Sequence, residues 1–153
     1  MKKLLPFLLC VLLCACTRTS LTDTVTAAIA ADESLPAGNI FIYGRQDSTV
    51  DDGFMTDYLG CAGYPEFLGK IEELALYVSL NGDYCELCVL RMYDAADTAD
   101  AVLFLERRIT EAKRALTVMG KTGYADTAFV QKRGNLVALF MLPDNESIKK
   151  QVF

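Results

Sequence analysis

The sequence predicts an α+β domain: a small, mostly antiparallel sheet built from two β-hairpins plus one strand, with a long helix and shorter helices packed on one face. Three observations predict it. Leu74, Leu76 and Val78 alternate with Glu73, Ala75, Tyr77 and Ser79 and run into Asn81-Gly82, a pair that tolerates the positive φ of a tight hairpin turn. A second strand–turn–strand pattern surrounds Gly134-Asn135. Between them, Thr98, Val102, Leu105, Ile109, Ala112, Leu116 and Met119 recur at alternating spacings of four and three, which places them along one stripe of a helix.

The elements follow in order. Ser20 and Asp23 have capping-box spacing, and Leu21, Val25, Ala28 and Ile29 share a face, so a helix runs from Leu21 to about Asp32. Leu35-Pro36-Ala37-Gly38 stops it, and Ile40, Phe41 and Ile42 form a short strand. Residues 44–53 read as a polar loop, and Asp51 to Tyr58 as a short helix ended by Gly60. The first hairpin pairs Leu74–Ser79 with Tyr84–Met92. Asp94 opens the long helix, about Ala95 to Met119. Acidic residues come early in it, Lys113 and Arg114 late, and Gly120 follows as a C-terminal cap. The second hairpin joins Ala128–Lys132 to Leu136–Leu142. Asp144 then caps a short terminal helix over Glu146 to Val152.

The chain has 153 residues, 52% hydrophobic and 23% charged, which suits one domain of ordinary size. It has no His and no Trp. Triads, His-ligated metals and imidazole acid–base chemistry are thereby removed. Ser48 and Ser79 have no histidine to activate them, and neither is followed three residues on by a lysine. Cys85-Glu86-Leu87-Cys88 has redox-pair spacing, but a redox pair needs its first Cys at a helix N-terminus. Inside a strand, positions three apart point to opposite faces, so these sulfurs are unable to bond and read as small buried hydrophobes. A bridge from Cys61 to Cys85 or Cys88 stays open. Asp47, Asp51, Asp52 and Asp57 lack calcium-loop spacing and read as a solvated loop and helix start. Arg107, Arg108, Lys113 and Arg114, interleaved with Glu106 and Glu111, read as a solvated face of the long helix. No catalytic, cofactor or metal site is expected from these residues.

The N-terminus is more specific. Lys2 and Lys3 precede an apolar run from Leu4 to Leu13, too short to span a bilayer but of secretory length. Leu13-Cys14-Ala15-Cys16 resembles a bacterial lipobox: an aliphatic residue, two small residues, then Cys. The resemblance implies cleavage between Ala15 and Cys16 and acylation of Cys16, with fatty acids such as palmitate. The expected organisation is therefore a removed signal peptide at 1–15, lipidated Cys16 with a short tether at 16–20, and one domain at 21–153. Losing the first fifteen residues removes two lysines and no acid, so the net charge moves from −5 to −7. An acidic surface argues against nucleic acid and against electrostatic attraction to anionic lipid.

The domain itself resembles an uncharacterised family of bacterial envelope lipoproteins, domain of unknown function 4358, typical of Firmicutes. The likeness rests on the strand pair Leu74–Val78 and Glu86–Leu90 ending at Asp94, on Leu105-Glu106-Arg107-Arg108 in the long helix, and on Tyr124 followed by Asn135-Leu136-Val137-Ala138-Leu139. It spans about residues 70–142 and departs at the Cys85–Cys88 spacing. It implies a domain held on the extracytoplasmic face of a Gram-positive cell membrane and carries no activity. The expected function is a non-enzymatic binding or interaction module of the cell envelope, meeting a protein or cell-wall component. An envelope hydrolase using paired carboxylates and a structural or assembly component are the alternatives.

Overall fold

Strand β2 (Ile71–Ser79) is buried on both sides. A computed structural model of the chain describes residues 19–153. In it, β1 (Gly38–Tyr43), β2, β3 (Glu86–Met92), β4 (Phe129–Arg133) and β5 (Leu136–Met141) form one antiparallel sheet in the order β1-β2-β3-β5-β4. The α+β class is as the sequence predicts. The long helix α3 (Thr98–Val118), entered through a 3-10 turn at Ala95–Asp97, carries the chain from β3 across β5 to the outer strand β4.

Helices cover both faces of this sheet, not one. On the first face, Leu74 and Leu76 of β2, Cys88, Leu90 and Met92 of β3, and Val137 and Leu139 of β5 pack against α2 (Asp52–Leu59), the 3-10 segment Pro65–Lys70 and α3. On the second face, Ala75, Tyr77, Cys85, Leu87, Val89, Ala138 and Phe140 pack against α1 (Leu21–Ala30) and α4 (Asn145–Val152). The physical reason lies in the strands. Leu87-Cys88-Val89-Leu90 and Val137-Ala138-Leu139-Phe140 are apolar at every position, and such runs need cover on both sides.

The helix ends follow local chemistry. Ser20 caps α1, its hydroxyl accepting from the Thr22 N–H at 3.1 Å. Asp51 caps α2 in the same way, from the Phe54 N–H at 2.9 Å. Both α2 and α3 end in paired reverse hydrogen bonds around a left-handed glycine: Cys61 N–H to Thr56 C=O across Gly60, and Lys121 N–H to Leu116 C=O across Gly120. The helical stripe is buried at Thr98, Leu105, Ala112 and Leu116, whereas Met119 is 47% exposed.

The second hairpin turns on Gly134-Asn135 as expected, with Arg133 opposite Leu136. The first differs. Ser79 and Cys85 still face each other through a backbone bond, so the loop runs from Leu80 to Tyr84 and is longer than an Asn-Gly turn alone. Both Gly82 (φ 64°) and Tyr84 (φ 55°) take left-handed conformations in it.

Candidate functional site

Each face of the sheet contains one buried carboxylate paired with an arginine, and the two pairs sit at opposite ends. A register shift between Ile71 and Glu73 turns Ile71 to the first face and Glu73 to the second. There Glu73, 4% exposed, lies directly across from Arg91 of β3. The Arg91 Nη1 donates to Glu73 Oε2 at 2.6 Å, and Nη2 donates to the Thr19 carbonyl at 3.0 Å. The other Glu73 oxygen accepts from the Leu21 N–H at 2.8 Å, the Ser20 hydroxyl at 3.2 Å and Arg45 Nη1 at 3.2 Å. Thr19 and Ser20, where the described chain starts, are thus fastened to the strand ends.

Glu86 opens β3 at the other end and faces α3. It is 1% exposed. Arg108 grips it with two bonds, Nη2 to Oε1 and Nε to Oε2, the second at 3.1 Å. The Tyr58 hydroxyl donates to the same Oε2 at 3.3 Å. The Arg108 guanidinium also lies 5.2 Å from the Tyr58 ring centre and 5.3 Å from that of Tyr84. Burial opposes the Arg108 charge, but the hydrogen bonds and charge of Glu86 outweigh it and hold the guanidinium's pKa above its usual value. Burial first, then the adjoining Cys88 and Glu86, push the Tyr58 phenol well above the usual range.

A cleft of about 300 Å³ opens over this second pair, lined by Val78, Ser79, Gly82, Tyr84, Glu86, Arg108 and Met119. Leu80, 66% exposed, and Val118, 81% exposed, flank it in sequence. Tyr84 reaches its place above Arg108 through its left-handed backbone, a conformation that costs a non-glycine residue about 1–3 kcal/mol. Asp83 supports the loop, accepting from the Ser79 hydroxyl and from the Cys85 N–H at 3.0 Å. A larger hollow of about 610 Å³ lies between Tyr43 and Gly53, but it is a shallow groove along the loop that carries Arg45 and Ser48.

The two Glu86 oxygens are engaged by Arg108 and Tyr58. Burial raises the Cys85 thiol to about 12 and the Cys88 thiol further, which keeps both protonated and away from nucleophilic work. The cleft can offer a fixed cation, aromatic planes and apolar edges.

The residues singled out in the sequence fall as follows. Ala15, Cys16 and the cleavage site lie outside the described residues. Cys85 and Cys88 lie on opposite faces of the sheet, and Cys61, Cys85 and Cys88 are all free thiols. The acidic residues 47–57 are dispersed: Asp47 meets Arg45, Asp51 caps α2, and Asp52 accepts from the Tyr43 hydroxyl at 2.9 Å. Among the described residues, no group of three or more His, Cys, Asp or Glu is placed to hold a metal ion, and no helix is long and apolar enough to cross a membrane. The basic run on α3 is not uniformly solvated. Arg108 turns inward, and Arg107 donates to the Leu59 carbonyl at 2.8 Å and to that of Gly60. Both buried pairs escaped sequence reasoning, although Glu86 and Arg91 are the two charged residues of an otherwise apolar strand.

No family model, curated protein or solved structure matches the chain.

Proposed function

We propose that this chain is a lipoprotein of the bacterial cell envelope, of the kind found in Firmicutes and related to the uncharacterised family its pattern resembles. Cleavage between Ala15 and Cys16 and acylation of Cys16 anchor it on the extracytoplasmic face. Its domain serves as a binding module, not an enzyme. The observation that carries the reading is the order of parts: an apolar run of secretory length, Leu13-Cys14-Ala15-Cys16, and then, three residues past Cys16, a folded domain fastened at Thr19. The Arg108 cleft, with Tyr84, Met119 and Leu80 around it, is the surface this reading assigns to a protein or cell-wall partner.

Labelled palmitate tests the anchor. The full chain expressed in a Gram-positive host takes up label, and Cys16→Ala loses both label and membrane association; an unlabelled wild-type chain refutes the reading. In-cell crosslinking tests the module. Leu80→Asp combined with Met119→Asp abolishes the crosslinked species while leaving the anchor in place, and unchanged crosslinks remove the cleft from the proposal.

A further inference from the structure

If Cys16 carries lipid, the fold determines which way the domain faces. Cys16 is three residues from Thr19, and three residues of extended chain span about 10 Å at most. Thr19 is held: Arg91 binds its carbonyl, and Glu73 binds the Ser20 hydroxyl and the Leu21 N–H. The point of attachment is therefore fixed at one end of the sheet, where β2 begins and β3 finishes. Tyr93, the first residue past β3, lies beside this point and lines the same hollow as Ser20, Arg45 and Arg91. Its side chain is 67% exposed, although it is large and half apolar. An exposed tyrosine at this end suits the headgroup layer of a bilayer, where amphipathic rings are favoured. The opposite end, with Leu80 and Arg108, lies about five strand residues, or ~17 Å, further along β2.

We propose that the domain stands end-on upon the bilayer that holds Cys16, with the Tyr93 ring in the headgroup layer and the Arg108 cleft turned away from the membrane. The occupant of the Tyr93 end is thus the lipid surface itself. The inference rests on the lipid-anchor reading above, and the experiment separates the two.

The chain contains no tryptophan, so a single introduced indole reports its own surroundings. Tyr93→Trp and Leu80→Trp replace two exposed side chains, one at each end. Each full-length variant is extracted from its bacterial host in detergent and reconstituted into phosphatidylcholine vesicles carrying a nitroxide near the headgroup. Mass spectrometry of the N-terminal peptide reports the lipid. The expected result is an acylated peptide, blue-shifted emission from Tyr93→Trp, and quenching at least threefold stronger for Tyr93→Trp than for Leu80→Trp. An acylated peptide with equal quenching, or with Leu80→Trp quenched more, overturns the orientation and leaves the anchor standing. A peptide without acyl chains overturns both.

Discussion

The two buried ion pairs are built from the same residue types and hold different things. Glu86–Arg108 joins the sheet to the middle of α3, deep between aromatic rings, and its connections are all side chain to side chain. Glu73–Arg91 joins two neighbouring strands directly across from one another and, besides the Ser20 and Arg45 side chains, bonds backbone groups, the Leu21 N–H and the Thr19 carbonyl. The first fixes a helix against a face; the second fixes where the chain joins the sheet. A buried charge pair is weak evidence of net stabilisation, because removing both charges from water is costly. Breaking it is another matter, because losing either partner leaves the other buried without its counter-charge.

That contrast can be broken by truncating each carboxylate. Glu86→Ala leaves the Arg108 guanidinium beside apolar side chains without its counter-charge, and we expect a loss of about 3–5 kcal/mol. Replacing both members, Glu86→Leu with Arg108→Met, recovers most of it. Urea denaturation of soluble residues 17–153 measures both, and a double variant no better than the single one would show that the pair itself supplies the stability. Glu73→Ala leaves Arg91 with the Thr19 carbonyl, so the loss is smaller, about 2–3 kcal/mol. Its effect is also local. Hydrogen exchange should speed at Leu21 and the first turn of α1 while β2 and β3 keep their protection. Uniform loss of protection would mean that the two pairs act alike.

The faces of the sheet explain what could be read beforehand. The α+β class, the order of elements and the helical stripe were legible because spacing alone encodes them: Leu105 and Ala112 fall seven apart and are both buried. The cover on the second face was not read, although the sequence contains its signal. Leu136 to Met141 is apolar throughout, and a strand wetted on one side would alternate. The long first hairpin loop was obscured by Asn81-Gly82, which has the composition of a two-residue turn but is overridden by the Asp83 contacts to Ser79 and Cys85. The ion pairs were invisible for another reason. Glu86 and Arg108 stand on separate elements, and only the packing of α3 on the sheet brings them together. Arg108 therefore looked like its neighbour Arg107, one more charge on a solvated helix.

The cysteines sharpen the comparison of the faces through pH. Cys85 lies under the terminal helices and Cys88 under α3. Burial raises the Cys85 thiol from 9.0 to about 12 and moves Cys88 in the same direction. In the unfolded chain a thiol ionises near its ordinary value, while in the folded chain it stays protonated. The unfolded state therefore binds fewer protons above that value, and stability must fall as pH rises. The contribution of Cys85 is fully present below pH 9 and is lost progressively toward pH 12. Each thiol adds a slope of at most about 1.4 kcal/mol per pH unit. Denaturation midpoints between pH 8 and 11 should decline more gently in Cys85→Ala than in the parent. The slope is the test, since removing a buried side chain lowers the whole curve by itself. A parallel curve would show that Cys85 ionises equally in both states.

The smallest effect separates Arg107 from Arg108, adjacent residues on one helix. Arg107 lies 4.0 Å from Glu111, an exposed i,i+4 pair of the kind worth about 0.3–0.5 kcal/mol. It also closes the end of α2, donating to the Leu59 and Gly60 carbonyls and lying 5.1 Å from the Phe104 ring centre. Gly60 makes room for this: it sits at φ 61°, and a β-carbon there would come 2.7 Å from Arg107 Nη2. Glu111→Gln removes the surface pair alone and should move stability by no more than about 0.5 kcal/mol, less still in high salt. Arg107→Ala removes the carbonyl contacts as well and should cost about 1–2 kcal/mol, largely independent of salt. If the two variants cost the same, the solvated pair is what holds this arginine, and the uniform polar face inferred from the sequence would describe Arg107 after all. If they differ as expected, both arginines at the centre of α3 face inward in function, one toward the sheet and one toward the end of α2.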